Sequence, residues 1–121
     1  MTLCGTDIIR IERIEKSLNN DSFVKKVFGD EERAEYERQN RKPESAAAAF
    51  AAKEAFGKVF KVGITGLNLC EVQILHTPDG APYFKLSGSA MKLAEGFQLS
   101  LSLSHDGDYA IAMVTCERKG D

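Results

Sequence analysis

The chain has 121 residues, enough to build one domain (1–121) around a single core and too few for two. It is 43% hydrophobic and 28% charged, and its formal net charge of −2 excludes the basic surface that nucleic-acid binding requires. It has no run of eighteen apolar residues and no signal-peptide core, so the reading is a cytosolic (cytoplasmic) protein that makes no membrane contact.

Leu3–Ile11, LCGTDIIRI, is rich in β-formers and is expected to be the first strand, with Gly5 marking a close approach of neighbouring backbone. Alternation sets Asp7 on the side of Ile9 and Ile11, where a carboxylate needs a partner to offset its desolvation. Short helices follow: Asp21 caps SFVKKVF, which Gly29 ends, and Asp30 caps EERAEYERQ. Arg10, Arg13, Lys16, Lys25 and Lys26 make a basic block ahead of the acidic Asp30–Glu37. Such a block is either a solvated face or a dock for an acidic partner.

Lys42-Pro43-Glu44 opens a long helix, with Pro in the first turn and an acid near the positive end of the dipole. It is expected to run to about Val62, with Gly63 allowing it to end. At a 3.6-residue period, Ala48, Ala52, Ala55, Phe56, Val59 and Phe60 form an apolar stripe, and Phe50, Glu54, Gly57, Lys58 and Lys61 fall opposite. The opposite stripe has two readings. One is a surface ion pair between Glu54 and Lys58, worth about 0.3–0.5 kcal/mol. The other is a ligand-facing surface, where Gly57 leaves room for a phosphate or a ligand backbone.

Leu69–His76 alternates as a strand, Thr77-Pro78-Asp79-Gly80 is turn chemistry, and Pro82–Leu86 returns as the hairpin partner. Gly88-Ser89 introduces a short helix, AMKLAEG, closed by Gly96. Leu99, Leu101 and Leu103 alternate with Ser100, Ser102 and Ser104, Asp106-Gly107 is a two-residue hairpin signal, and Tyr109–Cys116 runs back. His105 falls on the leucine side at the strand's end, whereas His76, just before a turn, is expected to be exposed and idle. The order gives an α+β domain: a mostly antiparallel sheet packed against one long helix, plus short helices. Cys4, Cys70 and Cys116 are odd in number, widely spaced and each in an expected strand. They read as three buried free thiols in a reducing compartment, with no zinc or redox pair.

Asp7 and Glu54 are the only carboxylates placed on structured elements with apolar surroundings. Two carboxylates without a histidine or thiolate suit a hard cation such as Mg2+, whose coordination is completed by waters and substrate phosphates. No Ser-His-Asp arrangement can be anchored, and Gly63–Gly66 (GITG) lacks the lysine–hydroxyl ending of a P-loop.

Three blocks occur together: GTDIIRIERI (Gly5–Ile14), FAAKEAFGKVF with the glycine that follows (Phe50–Gly63), and SLSHDGDYAIAMV (Ser102–Val114). In order and spacing they closely resemble holo-[acyl-carrier-protein] synthase, the small single-domain class of 4′-phosphopantetheinyl transferase, over residues 3 to about 117. The resemblance implies Mg2+-dependent transfer of the 4′-phosphopantetheine arm of coenzyme A to a serine of apo acyl carrier protein, releasing adenosine 3′,5′-bisphosphate and supporting fatty acid biosynthesis. It implies that Asp7 and Glu54 hold the metal, that Lys58 meets the pyrophosphate, and that Lys53, Gly63 and His105 belong to the coenzyme A site. Asp7, Glu54 and Lys58 are thereby the catalytic set. Arg13, with Arg10 and Lys25, is implied to dock the acidic carrier.

Such chemistry rests on positioning and on neutralising phosphate charge. The serine proton goes to Glu54 or to a metal-held water. Larger relatives carry two tandem copies of this unit, so a single copy builds its cleft with another chain; the resemblance implies a homotrimer with its sites at subunit interfaces, His105 coming from the neighbour or from the same side. The sequence departs from the family where Ala49 stands in place of a frequent arginine, where Gly57 replaces a frequent serine, and where Phe60–Gly63 keeps only the last glycine of G-T-G. The first and last of these motivate the alternative of a coenzyme A- or carrier-binding scaffold with impaired turnover.

Overall fold

The computed structural model describes residues 1–120. The chain runs β1 (Thr2–Arg10), α1 (Ile11–Ser17), α2 (Asp21–Val27), α3 (Asp30–Arg38), α4 (Pro43–Val59), β2 (Val72–His76), β3 (Pro82–Leu86), α5 (Gly88–Leu93), β4 (Phe97–Asp106) and β5 (Tyr109–Arg118). Two short 3-10 turns, Ile64–Gly66 and Leu69–Glu71, lie between α4 and β2. The α+β reading holds, but the strands divide into an antiparallel three-stranded sheet, β1-β5-β4, and a separate antiparallel hairpin, β2-β3.

The three-stranded sheet turns its alternate residues onto α4. Gly5 and Ile9 of β1 and Ala110, Ala112, Val114 and Cys116 of β5 are buried, while Leu99, Leu101 and Leu103 of β4 are half-buried. The other face of the same strands is open: Ile8 is 62% exposed and Met113 50%, beside Tyr109 and Ile111. Helix α4 is central. Ala46 to Lys53, Ala55, Phe56, Gly57 and Val59 are all buried, leaving Glu54 half-buried and Lys58 exposed. The two-stripe expectation therefore needs correcting, because neighbours cover the helix on nearly every side; Phe50, expected on the polar stripe, packs on Phe23 with ring centroids 6.1 Å apart.

Local signals shift by small, physically clear amounts. Asn20, not Asp21, caps α2, its side chain accepting the Phe23 N–H at 3.1 Å. Helix α3 starts after Gly29 and is capped from another element: the Gln73 carbonyl accepts the Glu31 and Glu32 N–H groups, each at 3.0 Å. A Cβ at Gly29 would lie 2.4 Å from that amide, so Gly29 makes room for a borrowed cap. Helix α4 stops at Val59, and Lys61 (φ 58°), not Gly63, takes the left-handed conformation as the Val62 N–H returns to the Gly57 carbonyl at 2.9 Å. The last hairpin turns at Gly107-Asp108, one residue beyond the expected pair.

The three-buried-thiols reading also fails: only Cys116 is buried, Cys4 is exposed, and Cys70 sits half-buried in a 3-10 turn. His76 is not idle, since its backbone N–H and Nδ1 both lie 2.9 Å from the Glu35 carboxylate. Among the described residues no helix is long and apolar enough to cross a membrane.

Candidate active site

Asp7 and Glu54 come from different elements, and the packing of β1 on α4 brings them together. Asp7 points inward from β1, as its parity with Ile9 requires, and its side chain is only 11% exposed. Oδ1 accepts from Lys58 Nζ at 3.1 Å, whereas Oδ2 is buried with no hydrogen-bond partner. Glu54 lies beside it. Burial, and then the adjoining Asp7 carboxylate, push the Glu54 carboxyl from 4.5 up to about 7, against the opposing pull of Arg13 and Lys58. A buried carboxylate oxygen without a partner beside a second carboxylate is a site short of positive charge.

Lys58 supplies part of that charge. It does not pair with Glu54 along the helix, because it reaches across to β1, donating to the Thr6 carbonyl at 2.8 Å and to Asp7. Its ammonium keeps one hydrogen free on a side chain that is 57% exposed, available to an incoming anion. Arg13, exposed on α1, is near enough for its charge to act on Glu54.

The structure does not bring every expected residue here. Lys53, which the resemblance assigns to the coenzyme A site, is fully buried on another face of α4. Its ammonium donates to Glu32 Oε1 at 2.8 Å, to the Leu69 carbonyl at 3.0 Å and to the Val72 carbonyl at 2.5 Å, which exhausts its three hydrogens. Glu32, 5% exposed, also accepts the Gly29 N–H at 3.0 Å and the Ile74 N–H at 2.9 Å. Burial raises the Glu32 carboxyl and lowers the Lys53 ammonium from their ordinary values, and the ion pair opposes both shifts. Neither Glu32 nor Gln73 stands out in the sequence; each acts on a partner at least 21 residues away.

Gly57 is likewise not a landing place for a ligand. A Cβ there would lie 2.7 Å from the Val62 carbonyl, so the space is filled by the chain's own return. Gly63 is exposed at the start of the first 3-10 turn. His105 is exposed at the end of β4, paired through Ala110 to Ile9, so two strand spacings separate it from β1, roughly 10 Å. Arg10 is tied to Tyr109, its guanidinium 2.8 Å from the phenol oxygen, and Lys25 stands exposed on α2.

Among the described residues no group of three or more His, Cys, Asp or Glu is arranged to hold a metal ion by itself. A pair of carboxylates, one with an orphaned oxygen, fits a hard cation that takes its other ligands from water and substrate. The chemistry available is thus cation and phosphate binding at the seam of β1 and α4.

The profile described as ACPS, 4′-phosphopantetheinyl transferase superfamily, matches residues 3–114. A holo-[acyl-carrier-protein] synthase of Finegoldia magna is 39% identical over 110 residues, 91% of each chain. One from Sulfurovum sp. is 40% identical over 116 residues, 93% of this chain and 94% of that one. Among solved structures, the Helicobacter pylori holo-[acyl-carrier-protein] synthase in complex with coenzyme A aligns with a TM-score of 0.81 at 34% identity, over 95% of this chain and all of that one.

Proposed function

The chain belongs to the 4′-phosphopantetheinyl transferase superfamily, among its holo-[acyl-carrier-protein] synthases, and from that premise we propose that it performs the transfer at the Asp7–Glu54 seam with a Mg2+ ion. The enzyme moves the phosphopantetheine group of coenzyme A onto acyl carrier protein. The observation that carries the site assignment is the buried, unpartnered Asp7 Oδ2 beside Glu54. Asp7 and Glu54 would hold the cation, which when bound supplies Lewis-acid polarisation of the phosphoryl oxygens.

The serine hydroxyl of the carrier gives its proton to Glu54 or to a water, and its oxygen forms a bond to the phosphorus that bears the pantetheine arm. The phosphoanhydride bond breaks, and adenosine 3′,5′-bisphosphate leaves with the electron pair. Lys58, with one ammonium hydrogen free, neutralises the departing phosphate. Arg13, exposed and near enough for its charge to act on Glu54, meets the acidic carrier, with Arg10 and Lys25 flanking it. The carrier of fatty acid synthesis is the partner we assign. Three free cysteines, one exposed, suit the reducing cytosol.

Incubation with coenzyme A, Mg2+ and apo acyl carrier protein should add one phosphopantetheine to the carrier by mass spectrometry, and the carrier KM should rise with salt. No transfer with any of several carriers, alongside coenzyme A binding by calorimetry, would instead establish a scaffold.

We also assign a homotrimer. Its support is the outer face of the three-stranded sheet, where Ile8, Tyr109, Ile111 and Met113 lie exposed side by side without cover. A cyclic assembly on this face would bring a neighbour's surface against each site and give His105 a route into it. Ile111→Asp should give a monomer by light scattering and lose transfer with it. A trimeric Ile111→Asp variant would remove this face from the interface.

A further inference from the structure

Gly5 sits in regular extended backbone at the centre of β1, where glycine is a poor choice: it weakens a strand and buries nothing. Its backbone does not need the freedom either, since its φ lies outside the left-handed range. What it needs is space. A Cβ would stand 2.3 Å from the Ala55 carbonyl oxygen of α4 and 3.1 Å from Val59 Cγ2. Strand and helix touch backbone to backbone at this point. Asp7 follows two residues later on the same face of β1, and Glu54 is the residue before Ala55 on α4.

We propose that Gly5 is a positioning residue for the carboxylate pair, its missing side chain setting the span between Asp7 and Glu54; this rests on the cation reading above. Ordinary contact begins at 3.4 Å, so a methyl group at Gly5 forces the two backbones about 1 Å apart. Mg2+ holds its oxygens at about 2.0–2.1 Å in a near-ideal octahedron, which such a widening disturbs. The Lys58 clamp on Thr6 and Asp7 lies one turn further along α4 and cannot restore the span, because it fixes Asp7 to Lys58 and not to Glu54.

Mn2+ binding followed by electron paramagnetic resonance on the full chain, without coenzyme A or carrier, tests this independently of activity. Gly5→Ala should weaken Mn2+ binding by roughly tenfold or more. Asp7→Glu, whose extra methylene spans the widened gap, should weaken binding in the wild type yet recover part of it in the Gly5→Ala background. Val59→Ile, which adds bulk over Gly5, pries the same seam apart more gently and decides the matter if Gly5→Ala does not fold; about a threefold loss is expected. Val72→Ala, destabilising but on another side of α4, should leave Mn2+ affinity unchanged.

A folded Gly5→Ala or Val59→Ile protein binding Mn2+ like the wild type would overturn the role of Gly5. So would a Val72→Ala protein that loses affinity as much. A wild type that binds no Mn2+, or binds it equally after Asp7→Asn, would instead overturn the cation reading itself.

Discussion

Lys53→Met should destabilise the protein by about 3–5 kcal/mol, because it strands the Glu32 carboxylate in the core without its counter-charge and takes the ammonium donor from the Val72 carbonyl, while the Leu69 carbonyl keeps the Val72 N–H. Against a total stability of roughly 5–15 kcal/mol for a domain, that loss is enough to unfold a substantial fraction at growth temperature. Urea denaturation followed by circular dichroism reads it as a lower midpoint. Adding Glu32→Gln should recover part of the loss, since the amide removes the buried charge and still accepts one of the Gly29 and Ile74 N–H groups. A single variant as stable as the wild type would show that the ion pair contributes nothing. A double variant no better than the single would mean that the carbonyl bonds, and not the charge on Glu32, dominate.

Lys53 also marks where the sequence stops being informative. Helix α4 and strand β1 could be read because their signals are local: alternation placed Asp7 inward, and Pro43 and Glu44 opened the helix. Gly5 was legible as a close approach because glycine in a strand has few other reasons to be there. Lys53 was not, because its environment is made by residues 16 to 21 positions away, and a helical wheel cannot tell which side will be covered by α3 and which will stay open. The same blindness applies to Gln73, which caps a helix from a strand, and to Glu35 with His76. Gly57 misled for a related reason. An empty position beside Glu54 suggested a phosphate, but α4 ends in an early left-handed residue at Lys61, which folds the chain back over it. On β5 the exposed Tyr109, Ile111 and Met113 alternate as cleanly as the buried residues, so which face of that strand meets α4 could not be settled from its pattern alone.

Asp7→Asn should reduce transfer by at least about 10³-fold, as expected when charge stabilisation at a phosphoryl centre is removed, while leaving the fold intact. Its diagnostic signature is the dependence of stability on pH. Glu54 has a carboxyl near 7 in the folded chain and 4.5 as its ordinary value, so the folded state holds this proton more tightly than the unfolded state. Stability from this group is therefore full below about 4.5, falls as pH rises towards 7, and stays reduced above it. Because Glu54 is only half-buried, the loss is discounted for solvent screening to about 1 kcal/mol, roughly 4 °C in melting temperature. Asparagine at position 7 removes the adjoining negative charge, so the slope between pH 5 and 7 should flatten in the variant. Mg2+ should raise the wild-type melting temperature more at pH 8 than at pH 5, since only the ionised pair offers both carboxylates, and should do so weakly or not at all for Asp7→Asn. Thermal melts of the two proteins at both pH values, with and without Mg2+, provide the check. Equal slopes would mean that Asp7 does not govern the ionisation of Glu54, and an equal response to Mg2+ would place the cation elsewhere.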